Sequence, residues 1–169
     1  MVKIIITGPE STGKTTLCKA LSRHLKISFS KEYAREYLKD LRLNYCQEDL
    51  IKIAKKQLKS EENMQLLDTD LITIKIWSEY KYGSCNKWIL EELEKQKFEN
   101  RFYLLCSPDI EWVADHLREG SADRIELFKI YRQEIEKLGH RYYIIKGKNR
   151  AINAVSKILN KKFLLQNYF

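Results

Sequence analysis

Val2-Lys3-Ile4-Ile5-Ile6-Thr7-Gly8-Pro9-Glu10-Ser11-Thr12-Gly13-Lys14-Thr15-Thr16-Leu17 is the stretch on which the fold turns. Val2 to Thr7 is a short β-branched apolar run that stops at a glycine turn, the pattern of a buried strand. After Lys14, Leu17, Ala20, Leu21 and Leu25 recur at helical spacing. Between strand and helix stands G-x-x-x-x-G-K-[ST], and its residues suit a phosphate group for three reasons. Glycines let successive backbone N–H groups turn inward as a nest for oxyanions. The helix opening near Gly13 points its positive end at the same place. Lys14 brings a cation, and the Thr15 hydroxyl can ligate Mg²⁺. Gly8, Glu10, Ser11, Thr12, Gly13, Lys14, Thr15 and Thr16 are therefore the expected binding set for a nucleoside triphosphate, ATP with Mg²⁺.

Outward from that loop, strands and helices alternate. Ile27 to Ser30 reads as a second strand, Gln47 to Ser60 as an amphipathic helix, and Met64 to Leu67 as a strand closed by Asp68. Leu71 to Tyr82 reads as a helix with Asp70 at its N-cap and Gly83 as its stop. Trp88 to Phe98 reads as another, and Phe102 to Cys106 as a strand ended by Ser107-Pro108. Ile110, Val113, Ala114 and Leu117 predict a helix starting at Pro108-Asp109; Phe128, Tyr131, Ile135 and Leu138 predict the next. Tyr142 to Ile145 is the last strand, and Ala151 to Leu159 the last helix. The expectation is an α/β fold in which a mainly parallel sheet is covered on both faces, over residues 1–169 as a single domain. Ligands of such sheets sit beyond the carboxyl ends of the strands, which puts Gly8 to Thr15, Glu32, Asp68 and Ser107 at one edge.

Asp68 is the candidate acidic group for metal, and Asp70 is either the N-cap or a second ligand for metal or substrate. Glu32 either accepts the proton of an attacking hydroxyl, holds ribose hydroxyls, or caps a helix surface with Arg35. Arg118 and Arg124 flank Glu119-Gly120-Ser121-Ala122-Asp123, a short connection suited to a lid, approximately 115–127, that brings arginines over the phosphates. Trp77, Tyr80 and Tyr82 supply aromatic faces for stacking a flat heterocycle or for core packing.

Bulk properties narrow the classes. The chain has 169 residues, 44% hydrophobic and 32% charged, as in globular domains. Its apolar runs are too short to span a bilayer, so no membrane partner is expected. Cys18, Cys46, Cys85 and Cys106 have no metal or disulfide spacing and read as buried or half-buried thiols. The net charge of +8 is spread over helix faces such as Lys52, Lys55, Lys56 and Lys59, so no nucleic-acid partner is expected. Because the N-terminus runs straight into the first strand, a cleavable leader would remove part of the fold, and a cytoplasmic location is expected. No Asn-Lys-x-Asp base-recognition tetrapeptide occurs, which counts against a Ras-type GTPase. Small-molecule kinase, regulatory ATPase and kinase of another nucleoside or nucleotide remain open on the loop alone.

Several segments together resemble one family. GPESTGKTTL at 8–17, EYAREYL at 32–38, LDTDLITIKIWSEYKYG at 67–83, YLLCSPDIEWVADHLRE at 103–119 and Arg124 are similar, in order and spacing, to the ribosylnicotinamide kinase domain of the bacterial NAD-biosynthesis regulator NadR and its stand-alone relatives. The resemblance implies a P-loop kinase sheet in strand order 2-3-1-4-5 with a small helical lid, and transfer of the ATP γ-phosphate to the 5′-hydroxyl of nicotinamide riboside. It implies that Lys14 and Thr15 serve phosphate and Mg²⁺, and that Asp68 is the metal or base group. Glu32, Tyr33, Arg35, Asp70 and Trp77 are then the substrate-side set, and Arg118 and Arg124 belong to the lid. The Lys146-Gly147-Lys148-Asn149-Arg150 loop would lie near adenine. Two departures stand out. Asp115-His116-Leu117-Arg118 replaces the frequent Asp-Gly-Leu-Arg, and Lys31 offers no aromatic platform beside Glu32. The DNA-binding and adenylyltransferase parts of the full-length regulator have no counterpart here and are not carried over.

Overall fold

The structure, a computed structural model, describes residues 1–39, 45–113 and 123–159. Five strands form one parallel sheet: β1 (Lys3–Thr7), β2 (Phe29–Ser30), β3 (Leu66–Asp68), β4 (Arg101–Cys106) and β5 (Arg141–Ile145), in spatial order β2-β3-β1-β4-β5. The crossovers between them carry α1 (Lys14–Leu25), α2 (Tyr33–Lys39), α3 (Gln47–Ser60), α4 (Leu71–Tyr82), α5 (Lys87–Gln96) and α6 (Arg124–Lys137), and α7 (Arg150–Leu159) follows β5.

The apolar runs of β1 and β4 make sense as strands wetted on neither face. Ile4 and Ile6, with Leu66, Phe102 and Leu104, bury one face against Leu17, Cys18 and Leu21 of α1 and Ala154 and Ile158 of α7. Ile5, Leu67, Tyr103 and Leu105 point the other way, into α3, α4, α5 and α6 through Ile53, Ile72, Ile89 and Ile135. A period of two along each strand thus feeds two separate cores.

The expected elements lie close to those observed, with two differences. Lys39 closes α2, a helix the sequence offered only as one alternative, in the pairing of Glu32 with Arg35. The helix expected from Pro108 is absent over the described residues up to Val113. There the chain serves neighbours instead of itself: Val113 N–H donates to Ser11 Oγ at 2.9 Å, and the Ile110 carbonyl accepts from Arg124 at 3.0 Å. Cys46 is exposed, since it sits at the N-cap of α3, while Cys18 and Cys106 are buried and Cys85 is half-buried. Among the described residues no helix is long and apolar enough to cross a membrane.

Where β1 and β4 begin, a buried ion cluster ties the helices to the sheet. Arg101, with a fully buried side chain, donates to Glu61 at 2.7 Å, to Asp70 at 3.3 Å and to Glu99 at 3.0 Å. The Tyr103 hydroxyl donates to Asp70 at 2.6 Å, and the Ile72 N–H donates to the other Asp70 oxygen at 3.2 Å. Burial pushes Glu61 up to about 7 even though the Arg101 guanidinium pulls it back. Arg101→Met should therefore leave two carboxylates buried without their main cation and cost about 3–5 kcal/mol at pH 7.5. Those carboxyls would have folded pKa values above their unfolded ones. They would favour the folded chain while protonated, and the cost should shrink as pH falls. Chemical denaturation at pH 7.5 and 5.5 measures this, and an equal loss at both would assign the cost to packing instead of charge.

Candidate active site

Beyond the carboxyl end of β1 the chain makes a turn that only glycine can make. Gly8 has φ +131°, and a Cβ there would lie 2.7 Å from the Cys106 carbonyl oxygen at the end of β4. Ser11 (φ 53°) and Gly13 (φ 75°) also take left-handed conformations, which curl the loop round an open centre. The loop is braced from inside, since the Thr12 hydroxyl and the Lys14 ammonium both donate to the Pro9 carbonyl at 2.8 Å. Helix α1 begins at Lys14 with no side-chain cap and no acidic residue in its first turn. Its free N–H groups and positive end thus remain available to an anion.

Asp68 stands at the end of β3 beside the loop and is 1% exposed. One oxygen accepts from the Thr15 hydroxyl at 2.7 Å; the other is buried with no hydrogen-bond partner. Burial pushes this carboxyl up to about 6, and the Glu32 carboxylate adds to the rise, while Thr15 and the Lys14 ammonium oppose it. An orphaned carboxylate oxygen beside a hydroxyl is the donor set of a hard divalent cation that takes its other ligands from phosphate and water. Among the described residues no cluster of three or more His, Cys, Asp or Glu could hold a metal unaided. The two oxygens therefore fit Mg²⁺ bound together with a nucleotide.

On the far side of the loop a cleft opens. Glu32 precedes α2 and forms an ion pair with Arg35 at 3.8 Å; both line the cleft. Trp77 lines it from α4, its ring 5.5 Å from that of Tyr80 and edge-on to it. Arg124, the first residue of α6, lies across the loop. Its guanidinium donates to the carbonyls of Ser11 (3.1 Å) and Ile110 (3.0 Å) and sits 5.7 Å from the centroid of the Trp112 ring. Behind the loop, Asp109 accepts from the Gly147 N–H at 2.7 Å and pairs with Arg150, which also donates to the Ser107 and Ile145 carbonyls at 3.0 Å. That fastens the 146–150 turn next to the β4 exit.

The structure therefore gathers Glu10 to Thr16, Glu32, Arg35 and Trp77 on one cleft, with Asp68 hydrogen-bonded to its Thr15. Of the expected substrate-side residues, two are not there. Asp70 is fully buried, and its oxygens are spent on the α4 N-cap, Arg101 and Tyr103, so it acts as cap and counter-ion instead of substrate ligand. Tyr33 does not line the cleft; its ring packs 6.0 Å from that of Tyr37, with the Lys56 ammonium 5.9 Å from its centroid. Arg118 and most of the expected 115–127 lid lie outside the described residues. Sequence reasoning missed Tyr45, Leu50, Ile53, Thr73 and Tyr131 as cleft walls. Only Thr73 carried a signal, being one helical turn before Trp77 on the same face.

Comparisons with known proteins agree with this geometry. Residues 3–151 match the family described as an AAA domain. The trifunctional NAD biosynthesis/regulator protein NadR of Escherichia coli (strain K12) is 25% identical over 146 residues, which is 79% of this chain and 35% of that protein. The chain thus spans about a third of the curated relative's length. A solved structure of NadR protein in complex with NR superposes with a TM-score of 0.75 at 24% identity, covering 94% of this chain and 50% of that one. A second, of NadR protein in complex with NAD and AMP-PNP, has a TM-score of 0.64 at 25% identity, covering 92% and 48%.

The Asp68 environment makes a stability prediction. A carboxyl raised above its unfolded value of about 4 costs stability as pH climbs through its folded value. In metal-free buffer, Asp68→Asn should be more stable than wild type by about 2 kcal/mol at pH 7.5, and the difference should narrow towards pH 5. Thermal melts across that range test it; a wild-type advantage at pH 7.5 would contradict the assigned burial cost.

Proposed function

The chain belongs to the AAA-domain family, and on that premise we propose that it is an ATP-dependent P-loop kinase, a single domain over 1–169, that phosphorylates the 5′-hydroxyl of nicotinamide riboside. The observation that carries the reading is a walled extension of the phosphate-loop cleft: Glu32, Arg35 and Trp77 line the same cavity as Lys14 and Thr15. An ATPase that only senses nucleotide has no use for such an extension facing the γ-phosphate. The segments similar to NadR, and the likeness to NadR structures holding NR or AMP-PNP, favour a nicotinamide nucleoside in that compartment and ATP in the loop.

In this mechanism the loop amides and the α1 N-terminus hold the β- and γ-phosphates. Lys14 leaves the Pro9 carbonyl for phosphate oxygens and spreads charge from the transferring group. Arg124 already reaches the Ser11 carbonyl at the loop edge, within the region where phosphate charge develops; Arg118 would join it from the lid. Thr15 and Asp68 would hold Mg²⁺, which neutralises phosphate charge when bound. Glu32 faces the acceptor, where it can orient the ribosyl hydroxyl or take its proton while Arg35 balances its charge. Trp77 offers a flat wall for the base. Holding acceptor and donor in line supplies much of the rate.

The test is the purified chain with ATP, Mg²⁺ and a panel of nucleosides, reading phosphorylated products by mass. Nicotinamide mononucleotide as the preferred product is the expected result. Product from a purine or pyrimidine nucleoside alone would move the acceptor, and ADP release without phosphorylated acceptor would favour a regulatory ATPase. Lys14→Ala should lower turnover by about 100-fold or more with an unchanged melting temperature; wild-type turnover in that variant would rule out the kinase account.

A further inference from the structure

Tyr80, on the last turn of α4, neither lines the cleft nor enters either core, and it is 45% exposed. Its contacts are specific all the same. The ring stands edge-on to that of Trp77, 5.5 Å away, and the hydroxyl donates to the carboxylate of Asp123, the residue just before α6.

Asp123 holds the N-cap position of α6. An aspartate there ordinarily turns its carboxylate back on the N–H groups of the first turn. This one makes no such bond, and its backbone (φ −101°, ψ 14°) lies outside the extended region that capping residues take. Its carbonyl still starts the helix, accepting from the Leu127 N–H at 2.8 Å. The carboxylate that could have closed α6 on itself is given to α4 instead. The next residue is Arg124, whose guanidinium reaches the Ser11 carbonyl of the phosphate loop.

The same two helices are joined at a second point. The Lys75 ammonium pairs with Glu79 of its own helix at 2.8 Å and with Glu134 of α6 at 2.9 Å. Lys75 is early in α4 and Glu134 late in α6, whereas Tyr80 is late in α4 and Asp123 precedes α6. The helices therefore run antiparallel and are tied near both ends. The tie at Tyr80 is the one next to Arg124. A long side chain can bear on a reacting group only when the backbone that carries it is fixed.

We propose that Tyr80 is a positioning residue for phosphoryl transfer: its hydroxyl draws the Asp123 carboxylate to α4 and so fixes the start of α6 with Arg124 against the phosphate loop. The proposal rests on the kinase reading of the cleft. It makes one helix carry both Trp77, on the acceptor side, and the anchor of the arginine on the phosphate side.

Steady-state kinetics of the purified chain with ATP, Mg²⁺ and its preferred nucleoside test it. Tyr80→Phe removes the hydroxyl and keeps the ring against Trp77. It should lower kcat about three- to tenfold, the worth of one hydrogen bond, with the acceptor KM within about twofold of wild type. Asp123→Ala should lower kcat likewise, and Asp123→Asn, which keeps an acceptor oxygen, should restore it. In an Arg124→Ala background, Tyr80→Phe should change kcat no further, because the residue it positions is gone. The melting temperature of Tyr80→Phe should be unchanged or higher, since the released carboxylate can cap α6. An unchanged kcat in Tyr80→Phe overturns the proposal. So does an equal fall with and without Arg124, or a fall in kcat that comes with a lower melting temperature, which marks a structural role. If the wild-type chain phosphorylates no nucleoside, the kinase reading falls and takes this proposal with it; product formation with an indifferent Tyr80→Phe sinks the proposal alone.

Discussion

A methyl group at position 8 would sit 2.7 Å from the carbonyl oxygen of Cys106, inside van der Waals contact with rigid backbone. That close approach exists because β1 and β4 are paired along their full length, up to Thr7 opposite Leu105. The chain leaving β1 must therefore turn at once over the end of β4, at a φ that only glycine adopts without strain. Everything at the site follows from this turn. It throws Pro9 to Thr12 outward as a loop, starts α1 at Lys14 under the loop, and sets Thr15 against Asp68 on the neighbouring β3. Two isoleucine-lined cores hold β1 from both faces, so the loop stands on a strand packed on both sides.

The opposite end of the sheet fixes α4, one wall of the cleft. Arg101, Glu61 and Asp70 lock α4 and the end of α3 to the start of β4, and Asp70 caps α4 while it does so. Thr73 and Trp77 line the cleft from that helix, whose first turn is tied down through Asp70. A buried ion cluster of this kind adds little net stability over an apolar equivalent, but it tolerates one register only. The carboxylate that looked like a ligand is thus one step removed: it sets the helix that carries the ligand-facing side chains.

Elements whose pattern was local were legible in the sequence. Ile4, Ile5 and Ile6 announced a strand buried on both faces, the glycine spacing announced the loop, and Asp70 and Gly83 bracketed α4 correctly. What could not be read depended on partners remote in sequence. Asp70 and Asp68 are two residues apart on the same strand exit, yet the first is turned under α4 by Arg101 and Tyr103, which lie more than thirty positions away. The apolar spacing after Pro108 is helical on paper, but Ser11 and Arg124 claim its backbone groups. Tyr131 read as a core residue, as it is over most of its surface, and nothing in its neighbourhood showed that it would also line the cleft.

The two halves of the cleft differ in what they ask of the chain. Phosphate recognition uses backbone amides, a lysine and a helix end, all within eight consecutive residues, so its geometry is inherited from one turn. On the proposed reading, acceptor recognition would draw on cleft walls from several places: Glu32 and Arg35 from the β2 exit and α2, Trp77 from α4 and Tyr131 from α6. Each of these rests on a different crossover, and a small shift of any one helix reshapes the pocket while leaving the loop untouched. A sheet of this order can therefore keep its phosphoryl chemistry while its acceptor changes. Here Lys31 precedes Glu32, and the aromatic wall comes from Trp77 and Tyr45, on different parts of the chain. On that reading the identity of the acceptor would be decided by helix packing, and that of the donor by the turn at Gly8.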